Sequence, residues 1–328
     1  MDESTEKACR HYDERYDIVF QKMFERNEKE ELGRGEPQHC RFCGKKPPEV
    51  SFKSIAHAIP ECLGNRGLTS AYECDTCNGI FGRGIENDLG EWTKPMRTFA
   101  RIRGKNGVPT LRKGPNGGWR IEMKDGRLNV KAYEDDPIFE VEESNRRVVF
   151  TLKRGTYTPI AVYKAFVKIG LTLMPTKEIA PFSDTLDLIR ETDHARSWVG
   201  QAPIIHTFQN GPMANDRLAV IVLRRKPGVT NVPYAYLVIG YGNDVFQVTL
   251  PARQEDAAIN GKPLQIVPFP TPGGPDPAIY GRAQPTLLDL TGRQPVSGET
   301  TKIAMRYNTG TVIEGQPVAG LSKDGEPA

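Results

Sequence analysis

Cys40-Arg-Phe-Cys43, Ala56-His57-Ala-Ile-Pro60-Glu61, Leu63-Gly-Asn65 and Glu73-Cys74-Asp-Thr-Cys77-Asn78 form the stretch whose reading decides the fold. Two Cys-x2-Cys pairs face one another across a long spacer. Thiolates at this spacing turn their sulfurs to one side, and two such pairs make a tetrahedral four-cysteine set that closes around zinc. Cys40, Cys43, Cys74 and Cys77 are therefore the expected ligands of a structural zinc ion. A pair of redox dithiols is the competing reading, but Gly44 and Asn78 beside the pairs suit the tight turns of zinc knuckles.

Inside the spacer an apolar-flanked run, Val50-Ser-Phe-Lys-Ser-Ile55, reads as the first strand of a β-hairpin that leads to His57. An imidazole that is neutral near pH 7 can take a proton from water, so His57 is the candidate general base. Behind the second pair a helix is expected from Asn78 to about Lys94.

Strand, histidine, knuckle and helix in this order resemble the HNH nuclease family. The resemblance rests on Ala56-His57-Ala-Ile59-Pro60-Glu61-Cys62-Leu63-Gly64-Asn65, on Glu73-Cys74-Asp75-Thr76-Cys77-Asn78 and on Phe81-Gly82, and covers roughly residues 36 to 112. It implies a ββα-metal fold that hydrolyses DNA phosphodiesters with one magnesium or manganese ion. By the same resemblance His57 activates water and Asn78, directly after the last knuckle cysteine, is a ligand of the catalytic ion. Asn65 completes the catalytic set by fixing the loop or the backbone around His57. Glu61 and Glu86 are further candidate ligands of that ion. Local roles compete at three of these positions, with Asn78 as a helix N-cap, Glu61 as a helix-start carboxylate and Glu86 on a solvated helix face. The chain departs from the pattern at Ala56, where many HNH sites carry a metal-binding His or Asp. Related modules act as effectors in bacterial anti-phage systems, which implies a regulatory ligand or a sensor protein as partner. The rival function is a non-catalytic zinc-ribbon protein that binds nucleic acid.

The chain has 328 residues, enough for about two domains, and a net charge of only +3. Global charge announces no partner, but local charge does. From Trp92 to Ile121 there are eight basic residues and no acidic one. Lys94, Arg97, Arg101, Arg103 and Lys105 therefore read as a track for DNA phosphates. No apolar run approaches the ~20 residues of a membrane span, and the start shows no signal peptide. With Cys9 and Cys62 as free thiols, a reducing, cytoplasmic location is expected.

The fold class expected is α+β. Residues 1–35 read as an amphipathic helix, from Tyr12, Tyr16, Val19, Phe20, Met23 and Phe24 at spacings of three and four. Residues 36–115 are the zinc-stabilised HNH domain. Residues 116–266 read as an α+β domain with an antiparallel sheet and covering helices. Its centre is an apolar helix from Thr158 to about Met174, followed by four strand-like runs between Pro203 and Leu250. Sensing, DNA binding and assembly into a homo-oligomer are all open roles for it. His194 and His206 have no visible partners and are assigned structural roles. Residues 267–328 read as a Pro/Gly-rich extended tail whose last dozen residues are disordered.

Overall fold

The computed structural model describes residues 3–307 except 115–117, 134–135, 263 and 272–275. The end of the chain, expected to be disordered, lies outside these residues.

The first correction comes at the N-terminus. Helix α1 (Glu3–Arg15) stops where the continuous helix was expected to run on, and Tyr16–Glu25 is strand β1. Six apolar positions fit either periodicity, and the aromatic and β-branched run Tyr16-Asp-Ile-Val-Phe favours a pleated surface once a partner edge exists. That edge lies some 200 residues downstream: Tyr16 pairs with Arg225 and Glu25 with Arg217, with a register shift between Ile18 and Phe20.

Short β2 (Glu30–Leu32) pairs in parallel with β3 (Leu68–Ser70). The expected single helix behind the second knuckle is two, α2 (Asp75–Arg83) and α3 (Ile85–Phe99), broken at Gly84. Strands β4 (Leu111–Arg112), β5 (Arg120–Lys124) and β6 (Arg127–Lys131) form a small meander. Next come β7 (Phe139–Glu142), β8 (Arg147–Lys153), α4 (Pro159–Leu173) and α5 (Ser183–Arg190). Strands β9 (Pro203–Phe208), β10 (Arg217–Arg225), β11 (Ala235–Tyr241) and β12 (Asp244–Leu250) follow the four runs read from sequence. The supposed tail adds a short helix, α6 (Pro277–Tyr280), and two strands, β13 (Pro285–Asp289) and β14 (Thr300–Arg306). β13 pairs with β9 and β14 with β8, so low-hydropathy residues are strands because an open edge receives them. The main sheet is antiparallel with the order β1-β10-β11-β12-β9-β13.

Every residue of α4 is buried. Pro159 lies in its first turn, where the missing N–H costs nothing. The helix packs on β11 and β12 and against α3. One continuous core runs from Cys40, Phe42, Phe81 and Leu89 in the zinc segment to Ile160, Phe166, Leu237 and Phe246 beyond it. Residues on both sides of position 115 therefore share a core. On the opposite face of the sheet Tyr12 and Tyr16 pack with Tyr236, and Gln247 Nε2 donates to Tyr12 Oη at 2.7 Å.

Phe166 stands between Trp92 of α3, 6.3 Å away, and Phe246 of β12, 5.1 Å away. Phe166→Ala is expected to cost ~3–5 kcal/mol. Because the core is shared, it lowers one common melting transition, seen alike by far-UV circular dichroism and by zinc release.

Candidate active site and metal centre

The knuckles converge as the cysteine spacing requires. The four sulfurs of Cys40, Cys43, Cys74 and Cys77 all lie within 4.8 Å of one another, three of the residues buried and Cys43 half-buried. Cys43 and Cys74 Sγ are 3.8 Å apart. Zinc–sulfur bonds of ~2.3 Å make a tetrahedron with edges of about 3.8 Å, so the donor set fits zinc. A hydrogen bond with Cys77 holds the Cys40 thiol down to about 4 against the effect of burial, while burial pushes Cys74 up to about 11. Four sulfurs this close cannot all ionise without a compensating cation, and zinc supplies it. With all four positions filled by sulfur, such an ion is structural.

Helix α2 begins inside the second knuckle, with Cys74 as its N-cap residue. Asp75 in its first turn accepts hydrogen bonds from Ser51 Oγ, from Lys53 N at 3.0 Å and from Ser54 N at 2.7 Å. These bonds draw its pKa down to about 2. Residues 50–55, expected as a strand, are irregular and held by this carboxylate instead. The hairpin is reduced to a short antiparallel contact: His57 bridges Thr69, Ala58 N donates to Leu68 O at 3.1 Å, and Ser70 N donates to Ala56 O at 2.9 Å.

His57 is partly exposed at the edge of this contact, on a cleft of about 530 Å³ lined also by Glu73, Lys29, Arg34, Lys53 and Arg66. Its Nδ1 is buried with no hydrogen-bond partner. Nε2 faces Glu61 Oε2 at 3.7 Å, too far for a direct hydrogen bond. Burial lowers the imidazole pKa, Glu61 and Glu86 oppose it, and Lys168 and Lys105 reinforce it; the net shift is downward. The ring is therefore neutral near pH 7. Burial and the fields of Arg66 and Arg103 also pull down the pKa of Arg26, while Glu61 opposes them.

Beneath His57 lies a lysine that sequence reasoning missed. Lys168, from the middle of α4, has a side chain only 1% exposed. Its Nζ stands 2.9 Å from Glu73 Oε2 and 3.0 Å from Glu86 Oε1, and it donates to the His57 carbonyl at 3.3 Å. The Glu73 contact is an ion pair without well-directed hydrogen bonds, since both Glu73 oxygens lack a hydrogen-bond partner. Burial raises Glu73 to about 7 although Lys168 opposes it. Burial also disfavours the charged Lys168, yet two carboxylates outweigh it and its pKa is raised. The shifts differ because Glu73 shares one ammonium, whereas Lys168 draws on two carboxylates. Arg41 makes a second tie from within the first knuckle. Its Nη1 donates to the carbonyls of Leu171, Thr172 and Met174 at 2.7, 3.0 and 2.8 Å, capping the C-terminus of α4. Two lysines, Lys164 and Lys168, in a mostly apolar helix, and an arginine between two zinc ligands, were the available signals.

The remaining expected residues divide. Asn65 is buried and braces the loop: its Nδ2 donates to Ile59 O at 2.6 Å and to Leu68 O at 2.9 Å, and its Oδ1 accepts from Leu68 N at 2.9 Å. It braces the loop that follows His57, with both amide N–H bonds used on backbone carbonyls. Asn78 lies within α2, not at its N-cap, and its amide makes no side-chain hydrogen bond among the described residues. Glu86 faces Lys168, and Asp88 accepts from Thr158 N at the start of α4. Among the described residues the four cysteines are the only cluster of three or more candidate metal-binding side chains. His57 and Glu61 offer two donors, so they do not by themselves fit a preformed magnesium or manganese seat. In the basic track Arg97 is buried, donating to Thr93 Oγ1, Cys62 O and Gly90 O at 2.9, 3.1 and 2.7 Å. It braces the fold and is not free for phosphate. Lys94 pairs with Glu91 at 3.5 Å. Arg101, Arg103 and Lys105 are exposed. His206, assigned no partner from sequence, stands 2.7 Å from Asp244 Oδ1 and stacks on Phe246.

Metal analysis is expected to find a single zinc per chain. Cys74→Ser abolishes it and lowers the melting temperature. At Asp75 the folded pKa is depressed, so its contribution to stability is present above its ordinary value of 3.8 and is lost as pH falls through about 2.

No helix among the described residues is long and apolar enough to cross a membrane. Residues 40–92 match the family model described as HNH endonuclease. No curated protein and no solved structure matches the chain. The matched segment holds both knuckles, His57, α2 and the first half of α3. Residues 40–92 are accordingly an HNH endonuclease domain, stabilised by a four-cysteine cluster suited to zinc.

Proposed function

We propose that the protein is an HNH endonuclease that hydrolyses DNA phosphodiester bonds with His57 as general base. The observation that carries this reading is a neutral, partly exposed imidazole within an HNH domain, on a cleft whose lining holds Lys29, Arg34, Lys53 and Arg66 beside the carboxylates Glu30 and Glu31. Nδ1 is buried, so Nε2, on the Glu61 side, is the nitrogen left to exchange a proton. Nε2 takes a proton from water, the water oxygen bonds to phosphorus, and the bond from phosphorus to the 3′ oxygen breaks. The leaving oxygen is protonated by solvent, giving 5′-phosphate and 3′-hydroxyl ends. The imidazolium formed is stabilised by Glu61 and Glu86, both of which raise its pKa. Arg66, Arg103 and Lys105 neutralise the phosphate.

A divalent ion would supply further charge neutralisation at phosphorus, and the small donor set makes its requirement a matter for direct test. Plasmid nicking with magnesium, with manganese and with chelator alone is the assay. His57→Ala is expected to lower the rate by ~10²–10⁴-fold. Equal rates in wild type and variant overturn the reading. Since the folded His57 pKa lies below its ordinary 6.5, the free base persists as pH falls to 6.5, and the rate declines only on further acidification.

Ala56 and the short donor set favour one alternative, a nucleic-acid binder without catalysis. It predicts salt-sensitive binding that survives His57→Ala and no cleavage with any metal. Under either reading Arg66→Ala and Arg103→Ala each weaken DNA binding and reduce the salt slope by about 1. Arg97→Ala lowers the melting temperature and leaves the slope unchanged. An anti-phage effector role, with a regulatory ligand or sensor protein as partner, is a further proposal resting on the family resemblance.

A further inference from the structure

We infer that Lys168 is a positioning residue of the nuclease site, so that a helix outside residues 40–92 completes the HNH domain. The inference rests on the endonuclease reading and extends it to a residue beyond the matched segment.

The geometry is specific. An ammonium has three N–H bonds, and Lys168 Nζ has three oxygens within 3.3 Å: Glu73 Oε2, Glu86 Oε1 and the His57 carbonyl. Each comes from a different part of the HNH segment. Glu73 precedes the second knuckle, Glu86 opens α3, and His57 lies in the short hairpin contact. One charge thus ties together the zinc knuckle, the second helix and the peptide of the general base. The Nζ also lies 5.7 Å from the centre of the Phe81 ring of α2. The Lys168 side chain is too buried to meet DNA, so it acts through His57 and Glu86.

Helix α4 is suited to hold this charge in register. Arg41 binds the carbonyls at its C-terminal end, and Asp88 accepts the Thr158 N–H at its N-terminal end. Both clamps come from the HNH segment, one on either side of Lys168. Glu86 is also drawn towards α4, and so lies where its field reaches the His57 ring without being free to swing into the cleft.

The test uses the full chain and the nicking assay. Lys168→Met removes the charge and keeps an unbranched side chain. Zinc content and circular dichroism check its fold. The expected result is a fall in kcat of at least ~10-fold, with KM for DNA changed less than ~2-fold and zinc retained, because only the placement of the base is disturbed. The acid limb of kcat also moves up in pH. Of the groups acting on His57, Glu61 and Glu86 raise its pKa and Lys105 and Lys168 lower it, so removing Lys168 leaves the carboxylates less opposed. A packing role alone would move neither the limb nor the ratio of kcat to KM in this way. Should Lys168→Met lose its fold, Lys168→Met with Glu73→Gln removes one buried charge of each sign and carries the same measurements. A folded variant that cleaves at the wild-type rate with an unshifted limb overturns the inference and leaves the endonuclease reading intact. Wild-type protein that does not cleave overturns that reading itself.

Discussion

An ammonium ion with almost no access to water sits between two carboxylates, and the arrangement of this protein depends on that contact. Taking such groups out of water is expensive, and removing one partner of a buried pair generally costs ~3–5 kcal/mol, because the other charge is left uncompensated. The interaction is therefore weak evidence for high stability but strong evidence for a unique arrangement. Lys168 reaches Glu73 and Glu86 only if α4, the second knuckle and α3 are all in place.

Zinc and α4 divide the work of holding a small domain. The segment from Cys40 to Trp92 contains α2, the first half of α3 and almost no sheet of its own. Four sulfurs fix the knuckles to the start of α2, and Asp75 pins residues 51–54 to the same helix end. The rest of the burial comes from outside, through Phe166, Ile160 and the sheet under them. A segment this short has too little apolar surface to build a core alone.

Charge at the site follows from the same packing. The cations that flank His57 are not the continuous run read along residues 94–105. Arg97 is spent inside the fold and Lys94 on a neighbouring glutamate, while Lys29, Arg34, Lys53 and Arg66 reach the His57 cleft from separate segments. Spacing on a chain predicts a charged face only where the element is regular, and from Arg101 to Gly107 it is not.

Parts of the fold whose rules are local could be read from residue order. Cysteine spacing gave the metal cluster, the motif around His57 gave the family, and the mostly apolar stretch behind Pro159 gave α4 within a residue. Alternating runs from Pro203 to Leu250 gave four strands of the main sheet. Elements that need a distant partner could not be read that way. Tyr16–Glu25 is a strand because β10 offers an edge, and β13 and β14 form from residues of low hydropathy for the same reason. Asn65, Glu86 and Arg97 carry groups that suit catalysis, metal or phosphate, yet Asn65 and Arg97 bind the backbone and Glu86 pairs with Lys168. A polar side chain bonds to whatever the folded chain brings within about 3 Å, and no local pattern encodes that distance.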